Sequence, residues 1–453
     1  MYLNCHSFHS LRYGTIPLLD LVQQAVFCGV KIMALTDINT VTGIYDFIKA
    51  CKEAEIKPLV GIEFRCNHQL RYIGLAKNTN GLAEMNRFLT KNNFENSPLQ
   101  STAPDFNDVT IIYSFENKPT KLKAHEYIGI APDQLPKLFL PEWKVLLHKM
   151  VVLQPVTFRT KREFNLHKIL RAIDTNVILS KLTELDYCKR SEIMIPLEEL
   201  LVKFEEYPEI IANTQKLMDQ CHFEFDFKSP KNKKYYSGSR ENDIQLLTKL
   251  AQEGLIKKYG ADNPQATARV EKELKVIHQL EFSGYFLITW DIIQYSRSQG
   301  FLHIGRGSGA NSIVSYCLGI TAICPIELDL YFERFLNVNR KSPPDFDIDW
   351  SWKERDTILQ YIFDKYGADY VAFCGTNVEF KYRSIFREVG KVFGLPKEEL
   401  DQLAKNPMQL HDKNQIVKLV QEYGTLLEKY PNQRSMHSCG ILISEEPITN
   451  YTP

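Results

Sequence analysis

Early in the chain, short apolar runs alternate with longer segments whose apolar positions recur at helical spacing. YLNCHS, KIMALTD, PLVGIEF and RYIGLAKN read as strands, and PLLDLVQQAVFCG, YDFIKACKEAEI and GLAEMNRFLTKNN read as helices. This alternation predicts parallel strands joined by crossover helices. Farther on, ENDIQLLTKLAQEGLIKKYG carries apolar residues at helical spacing and ends in Gly260, and VEKELKVIHQLEF and FKYRSIFREVGKVFG follow the same rule. In the last of these, Ile385, Val389 and Phe393 line one face, while Arg383, Arg387 and Lys391 recur every four residues on another. Such a basic stripe suits a duplex backbone, and equally an ordinary solvated helix face.

The period changes to two in PDFDIDW, Pro344 to Trp350. In an extended strand Asp345, Asp347 and Asp349 share one face, and Phe346, Ile348 and Trp350 share the other. Carboxylates in a row repel one another unless a cation or a basic group neutralises them, and oxygen-only ligands favour Mg²⁺. A calcium-binding loop would require Gly at its sixth position and Glu at its twelfth, where this chain has Trp350 and Asp356, so calcium is disfavoured. A solvated acidic edge strand is the remaining alternative.

Upstream, FLHIG (Phe301 to Gly305) reads as a short strand and SIVSYCLG (Ser312 to Gly319) as a helix capped by Gly319. The turn between them, GRGSGANS, has glycines at 305, 307 and 309, which allow positive φ and close approach of backbone amides to an anion. The helix N-terminus adds partial positive charge, and Arg306 offers a forked donor for phosphate oxygens. No GlyLys(Ser/Thr) follows, so this is not the ATPase loop. A tight turn beneath a packed helix is the alternative.

Composition narrows the picture further. A chain of 453 residues predicts two or three domains. Its formal net charge of zero means that any nucleic-acid binding must come from local basic patches. The ten cysteines form no CxxC pair, which argues against a zinc site or disulfide framework and for reduced thiols. MYLNCH lacks the features of a signal peptide and no stretch approaches membrane-spanning length, so a cytoplasmic protein with no membrane partner is expected.

The run GRGSGANSIVSYCLGIT, then FERFLN, Arg340 and PDFDIDW, resembles the palm of bacterial DNA polymerase III alpha subunits, the C-family polymerases. The similarity extends through LEFSGYFLITWDII upstream and FREVGKVFG and MHSCGILIS downstream, and so covers essentially the whole chain. The resemblance implies that Asp345 and Asp347 are two of three metal-binding aspartates, with Asp349 a further carboxylate on their face. Gly305, Gly307 and Ser308 would line the triphosphate site, and Arg306, Arg334 and Arg340 would contact phosphate. The implied chemistry is attack by a primer 3′ hydroxyl on the α-phosphate of a deoxynucleoside triphosphate, with two Mg²⁺ ions. Primer-template DNA and replisome subunits, among them a proofreading exonuclease and a sliding clamp, would be its partners. Arg383, Arg387 and Lys391 would then lie on a thumb, and His437 would either approach the nucleotide or simply pack.

The first part of the chain resembles the PHP domain that opens these subunits, a distorted β/α barrel whose active members hold a metal cluster and hydrolyse phosphoesters. Here the opening HxH is Asn4 and His6, the AspHis pair is Asp37 and Ile38, Glu63 stands in GIEF, and Arg71 takes the place of another histidine. QPVTFRT lacks the expected Asn, Asp and His. With only His6, Asp37 and Glu63 left as ligands, the domain reads as structural or partner-binding.

The expected fold is multi-domain, α/β and α+β: a distorted β/α barrel over 1–215, a nucleotidyltransferase-like (polymerase beta-like) palm over 216–372, a helical thumb over 373–432, and a strand returning to the palm over 433–453. A boundary is expected between residues 205 and 240, where FKSPKNKKYYSGSREN reads as a solvated linker or a DNA-backbone contact. The family's third catalytic aspartate would fall beyond Pro453, so the chain is expected to be a fragment that polymerises weakly or not at all by itself. A noncatalytic replisome scaffold and a PHP-type phosphoesterase are the competing functions.

Overall fold

The computed structural model describes residues 1–340, 344–405 and 415–453, leaving aside the side chains of Arg383, Leu403 and Ala404. They form two compact units: Met1–Phe225 with Gly375–Ser438 and Thr449–Pro453, and Asp226–Cys374 with Cys439–Ile448.

Within Met1–Phe225, the first unit has the strands β1 (Asn4–Cys5), β2 (Ile32–Leu35), β3 (Lys57–Cys66), β4 (Gln69–Ala76), β5 (Val109–Ser114), β6 (Glu126–Ile130), β7 (Met150–Val152) and β8 (Pro155–Val156). β2 to β7 form one curled sheet in that order, β1 pairs with β8, and a bridge from Tyr2 to Met33 joins that pair to β2. Residues alternate between two cores. On β3 and β4, Val60, Ile62 and Tyr72 face one cluster, under the helices Leu18–Phe27, Ile44–Glu53 and Thr79–Glu95. Leu59 and Ile73 face the other, with Leu217 and Met218 of the helix Pro208–Asp219. This matches a distorted β/α barrel in which both sheet faces are covered.

The all-parallel expectation fails at β4, which runs antiparallel to both β3 and β5. Cys66 pairs with Gln69, leaving only Asn67 and His68 in the loop, with φ of 49° and 64°. Two central residues with positive φ make the tight hairpin turn whose twist matches paired strands, and they leave no length for a crossover helix.

The helices Tyr382–Val392 and Gln415–Leu426 pack on the helix Lys161–Thr175 in this same unit, with Ile385, Phe386, Val389 and Val420 buried against Leu166, Ile169, Leu170 and Ile173. The apolar face legible in the sequence is thus buried, with Phe393 at its edge.

In the second unit the helices Arg240–Tyr259, Pro264–Gln279 and Ser283–Ser298 surround the short helix Ile313–Leu318. Gly254 permits a close crossing, because a Cβ there would stand 2.2 Å from the Cys317 carbonyl oxygen. β9 (His303–Arg306) pairs antiparallel with β10 (Asp347–Trp350), and β11 (Val371–Glu379) pairs with β12 (Pro431–Ile443). The basic stretch after Phe227 is pinned rather than free: Lys233 N donates to Ile443 O at 2.9 Å and Lys234 N to Glu445 Oε2 at 2.8 Å. Among the described residues no helix is long and apolar enough to cross a membrane.

Candidate active site

Register fixes the candidate site. Asp347 pairs with Arg306, Ile348 with Gly305 and Asp349 with Ile304. Residues directly opposite in a ladder project to the same face, so Arg306, Asp347 and Asp349 share an exposed one. The alternate residues turn inward. Phe346 sits among Tyr285, Phe286 and Phe335 with ring centroids 5.2–5.4 Å away, and Trp350 Nε1 donates to Ser296 Oγ at 2.8 Å. The two-residue period is therefore a real division between solvent and core.

The three aspartates differ in their neighbours. Asp349 accepts from Arg306 Nε at 2.8 Å. Asp345, just ahead of β10 and 86% exposed, has Arg340 Nη2 at 3.9 Å, while Arg340 Nη1 donates to Phe335 O at 2.8 Å. Asp347 makes no ion pair among the described residues. Beside it lies Gly307, at φ 69°, where a Cβ would come within 2.6 Å of Asp347 Oδ2. Glycine thus keeps open the space next to this carboxylate. Gly305 is buried in β9, and Ser308 is half-buried in the 3₁₀ turn Gly307–Asn311. Arg334, itself exposed, ends the turn Phe332–Arg334, whose Phe332 is buried.

The short helix does not offer its first amides to an anion. Ser315 N donates to Ser312 Oγ at 3.1 Å and Val314 N to Glu273 Oε2 at 3.3 Å. The Glu273 carboxylate, fully buried, stands where an anion would otherwise sit at a helix N-terminus. Burial raises its pKa against the hydrogen bonds from Arg269 and Ser312. Neither Glu273 nor Arg269 stands out in the sequence. Their i, i+4 spacing on a helix was visible, but the burial of Glu273 was not.

Asp345 and Asp347 are an oxygen-only pair suited to Mg²⁺, which is commonly held by one or two carboxylates plus substrate phosphates. Among the described residues no three or more His, Cys, Asp and Glu side chains form a ready cage for a metal ion.

The barrel's residual ligands are committed elsewhere. Fully buried Glu63 accepts from His6 Nε2 at 2.9 Å and Asn4 Nδ2 at 2.8 Å through one oxygen, and from Arg65 Nε through the other. Arg65 also lies over the Tyr13 ring, 4.1 Å from its centroid. Burial alone would raise the Glu63 pKa, but Arg65 and His6 beside it hold it down at about 2. Asp37 has a separate set of partners, Ser7 N and Oγ, both at 2.7 Å, and Ser10 Oγ at 2.6 Å. Burial pushes its pKa up against those bonds. Both oxygens of Glu63 are occupied and an arginine supplies the positive charge, so these residues do not fit a multi-metal cluster. Arg71 is not brought to this cluster; it lines a different pocket with Ser101 and Lys118. Arg65, just past the GIEF motif, carries no signal of this role in the sequence.

On the helix Tyr382–Val392, Arg387 Nη2 contacts Asp401 Oδ1 at 3.1 Å and Lys391 Nζ contacts Asn176 Oδ1 at 2.6 Å. The side chain of Arg383 lies outside the described residues. His437 lies in β12, exposed.

Comparison with known proteins bears on both units. Residues 245–453 match the family model described as the bacterial DNA polymerase III alpha NTPase domain, and residues 3–121 match that of the PHP domain. Among similar curated proteins, the error-prone DNA polymerase of Symbiobacterium thermophilum is 28% identical, with 100% of this chain and 48% of that protein covered. The DNA polymerase III subunit alpha of Ureaplasma parvum is 29% identical, covering 100% of the chain and 46% of that protein. That of Bacillus subtilis is 28% identical, covering 100% and 45%. The chain spans about half the length of the curated relatives it matches.

Proposed function

Because this chain belongs to the family of bacterial DNA polymerase III alpha subunits, we propose that it serves template-directed DNA synthesis, in which a primer 3′ oxygen bonds to the α-phosphorus of a deoxynucleoside triphosphate and pyrophosphate departs. The observation that carries this reading is the β9–β10 register, which sets Arg306 and Gly307 beside Asp347. Asp345 and Asp347 would hold Mg²⁺, with Asp349 serving chiefly to hold Arg306. Bound Mg²⁺ would offset phosphate charge and favour ionisation of the attacking hydroxyl. The turn amides from Gly305 to Ser308, with Arg306, Arg334 and Arg340, would orient the triphosphate, and Arg383, Arg387 and Lys391 would follow the duplex backbone.

The barrel, in this reading, is a structural or partner-binding body rather than a phosphoesterase, because Arg65 fills the place of a cation at Glu63. The same family reading adds primer-template DNA, a proofreading exonuclease and a sliding clamp as partners, and the cytoplasm as the location.

The test is binding of a deoxynucleoside triphosphate to this chain with and without Mg²⁺, alongside primer extension. Binding that requires Mg²⁺ and is lost in Asp347→Asn is the expected result. Binding that is indifferent to the metal, or unchanged in the variant, overturns the proposal.

A further inference from the structure

One helix, Pro264–Gln279, holds both arms of the proposed phosphate cradle. Its Glu273, fully buried, accepts Ser312 Oγ at 2.7 Å and Val314 N at 3.3 Å, and so grips the end of the turn that begins at Gly307. Its Arg269 donates through Nε to Glu273 Oε1 at 2.9 Å. The same guanidinium donates through Nη2 to Asn311 O at 3.2 Å and to Leu330 O at 2.7 Å. Asn311 closes the glycine turn, and Leu330 leads into the turn Phe332–Arg334 that carries Arg334. Lys272 on this helix also meets Glu333, but both side chains are exposed and that pair adds little.

Ordinary helix capping needs only the Ser312 hydroxyl, which already serves Ser315 N. A buried carboxylate and an arginine that joins two carbonyls from different turns go beyond capping. Burying a charge is costly unless it is paired and hydrogen-bonded, so this pair is stable only in the arrangement that satisfies every partner. It therefore over-determines the backbone at Asn311, Ser312 and Leu330.

We infer that Glu273 and Arg269 are positioning residues that hold the glycine turn and the Arg334 turn in the geometry that receives the triphosphate of a nucleotide. Neither touches the nucleotide; both act through backbone that does. The inference rests on the function proposed above and adds to it residues outside the cradle itself.

The experiment measures two affinities of the full chain: for a deoxynucleoside triphosphate in Mg²⁺, and for a primer-template duplex without nucleotide. Thermal unfolding is followed in parallel. Glu273→Ala is expected to weaken triphosphate binding by roughly tenfold, since small displacements of positioning groups have large effects. Duplex affinity is expected to stay within about twofold, because backbone phosphate contacts lie on other elements. Glu273→Gln, which keeps an acceptor for Ser312, should recover most of the loss, and Arg269→Lys should recover part of the effect of Arg269→Ala. If Glu273→Ala fails to fold, Ser312→Ala, which removes one bond of the brace together with the cap to Ser315 N, should show the same selective effect, smaller in size, while Ser312→Asn, which can restore the cap, keeps the loss of triphosphate binding.

Equal losses for triphosphate and duplex, tracking the unfolding temperature, would show a merely structural role and overturn the inference. Unchanged triphosphate affinity in folded Glu273→Ala would also overturn it while leaving the proposed function standing. Absence of Mg²⁺-dependent triphosphate binding by the unmodified chain would instead overturn the proposed function, and this inference with it.

Discussion

Arg306 Nε donates to Asp349 Oδ2 at 2.8 Å across the β9–β10 pair, although Asp347, not Asp349, is its directly opposite partner. Diagonal neighbours on one sheet face lie within reach of a long side chain. Both groups are more than half exposed, so the bond contributes at most about 1 kcal/mol to stability. Its consequence is a division of labour: Asp349 holds the arginine, and Asp347 is left open beside Gly307.

Substitutions on this strand should therefore differ in effect. Asp347→Asn is expected to weaken Mg²⁺-dependent triphosphate binding by about a hundredfold, since loss of a metal-binding carboxylate removes several kcal/mol. Asp349→Asn, which removes only the partner of Arg306, should weaken it by about threefold or less. Titrating Mg²⁺ at fixed nucleotide for both variants measures the difference. Equal losses would mean that Asp349 is itself a ligand.

Inside the barrel, Arg65→Ala leaves Glu63 buried without its strongest cation. Removing one partner of a buried pair costs about 3–5 kcal/mol, whereas replacing both can be nearly neutral. Arg65→Ala should thus strongly destabilise the barrel, and Glu63→Gln combined with Arg65→Met should recover most of the loss. Urea unfolding of the unmodified chain, Glu63→Gln, Arg65→Met and the double variant, the four members of one cycle, gives the coupling directly. Neither Mn²⁺ nor Zn²⁺ should stabilise the unmodified chain through Glu63, so chelator should leave the Glu63-dependent transition unmoved.

How legible the sequence was follows from what kind of information each feature needs. Asp345, Asp347 and Asp349 were readable as one face because a strand's period is local, and Phe346, Ile348 and Trp350 duly pack inward. Gly319 and Gly260 marked helix ends for the same local reason. The antiparallel β4 was missed because Asn67 and His68 are not the usual Gly-containing hairpin signal, although Asn tolerates positive φ. Arg65 and Glu273 were missed because their significance is burial and partnership with residues distant in sequence, Tyr13 and Ser312 among them. Distances between side chains on different elements are a property of the packed fold.

The barrel should lose stability in acid in two overlapping steps. His167 is fully buried; its Nδ1 donates to Tyr13 O at 2.6 Å and its Nε2 accepts from Cys188 N at 3.0 Å. Burial lowers its pKa from 6.5 to about 3 despite the Tyr13 bond, because protonating Nε2 would set two donors face to face. Between those values the unfolded chain binds a proton that the folded one refuses, so stability falls as pH drops below 6.5, by about 1.4 kcal/mol per pH unit at most. Glu63 adds a second loss, from its ordinary 4.5 down to about 2. Urea unfolding between pH 7 and 5 follows the first step, to which His9, His125 and the Met1 amino group, also lowered by burial, add their own losses, and a folded His167→Gln variant should make the fall shallower by the His167 share.

The stripe on the helix Tyr382–Val392 makes a separate, salt-dependent prediction. Among the described residues the partners of Arg387 and Lys391 are Asp401 and Asn176, exposed groups that a phosphate can displace. Arg387→Ala and Lys391→Ala should each weaken duplex binding regardless of sequence and reduce the slope of log K against log salt by about 1. A slope unchanged in both variants would make the stripe a solvated helix face.

Gly307→Ala provides the sharpest probe of the carboxylate's surroundings. At φ 69° an alanine is strained by about 1–2 kcal/mol, and its Cβ would also stand 2.6 Å from Asp347 Oδ2. Strain and contact can be separated, because Gly300 has a similar φ of 74° with nothing within 4 Å of the added atom. Gly300→Ala should therefore lower the unfolding midpoint by a comparable amount and leave triphosphate binding intact. Gly307→Ala should share that stability loss and, in addition, lose Mg²⁺-dependent binding to the degree seen in Asp347→Asn, because the carboxylate must turn away from the crowded position. Matched binding in the two glycine variants would show that the space beside Asp347 is not where the metal and triphosphate are received.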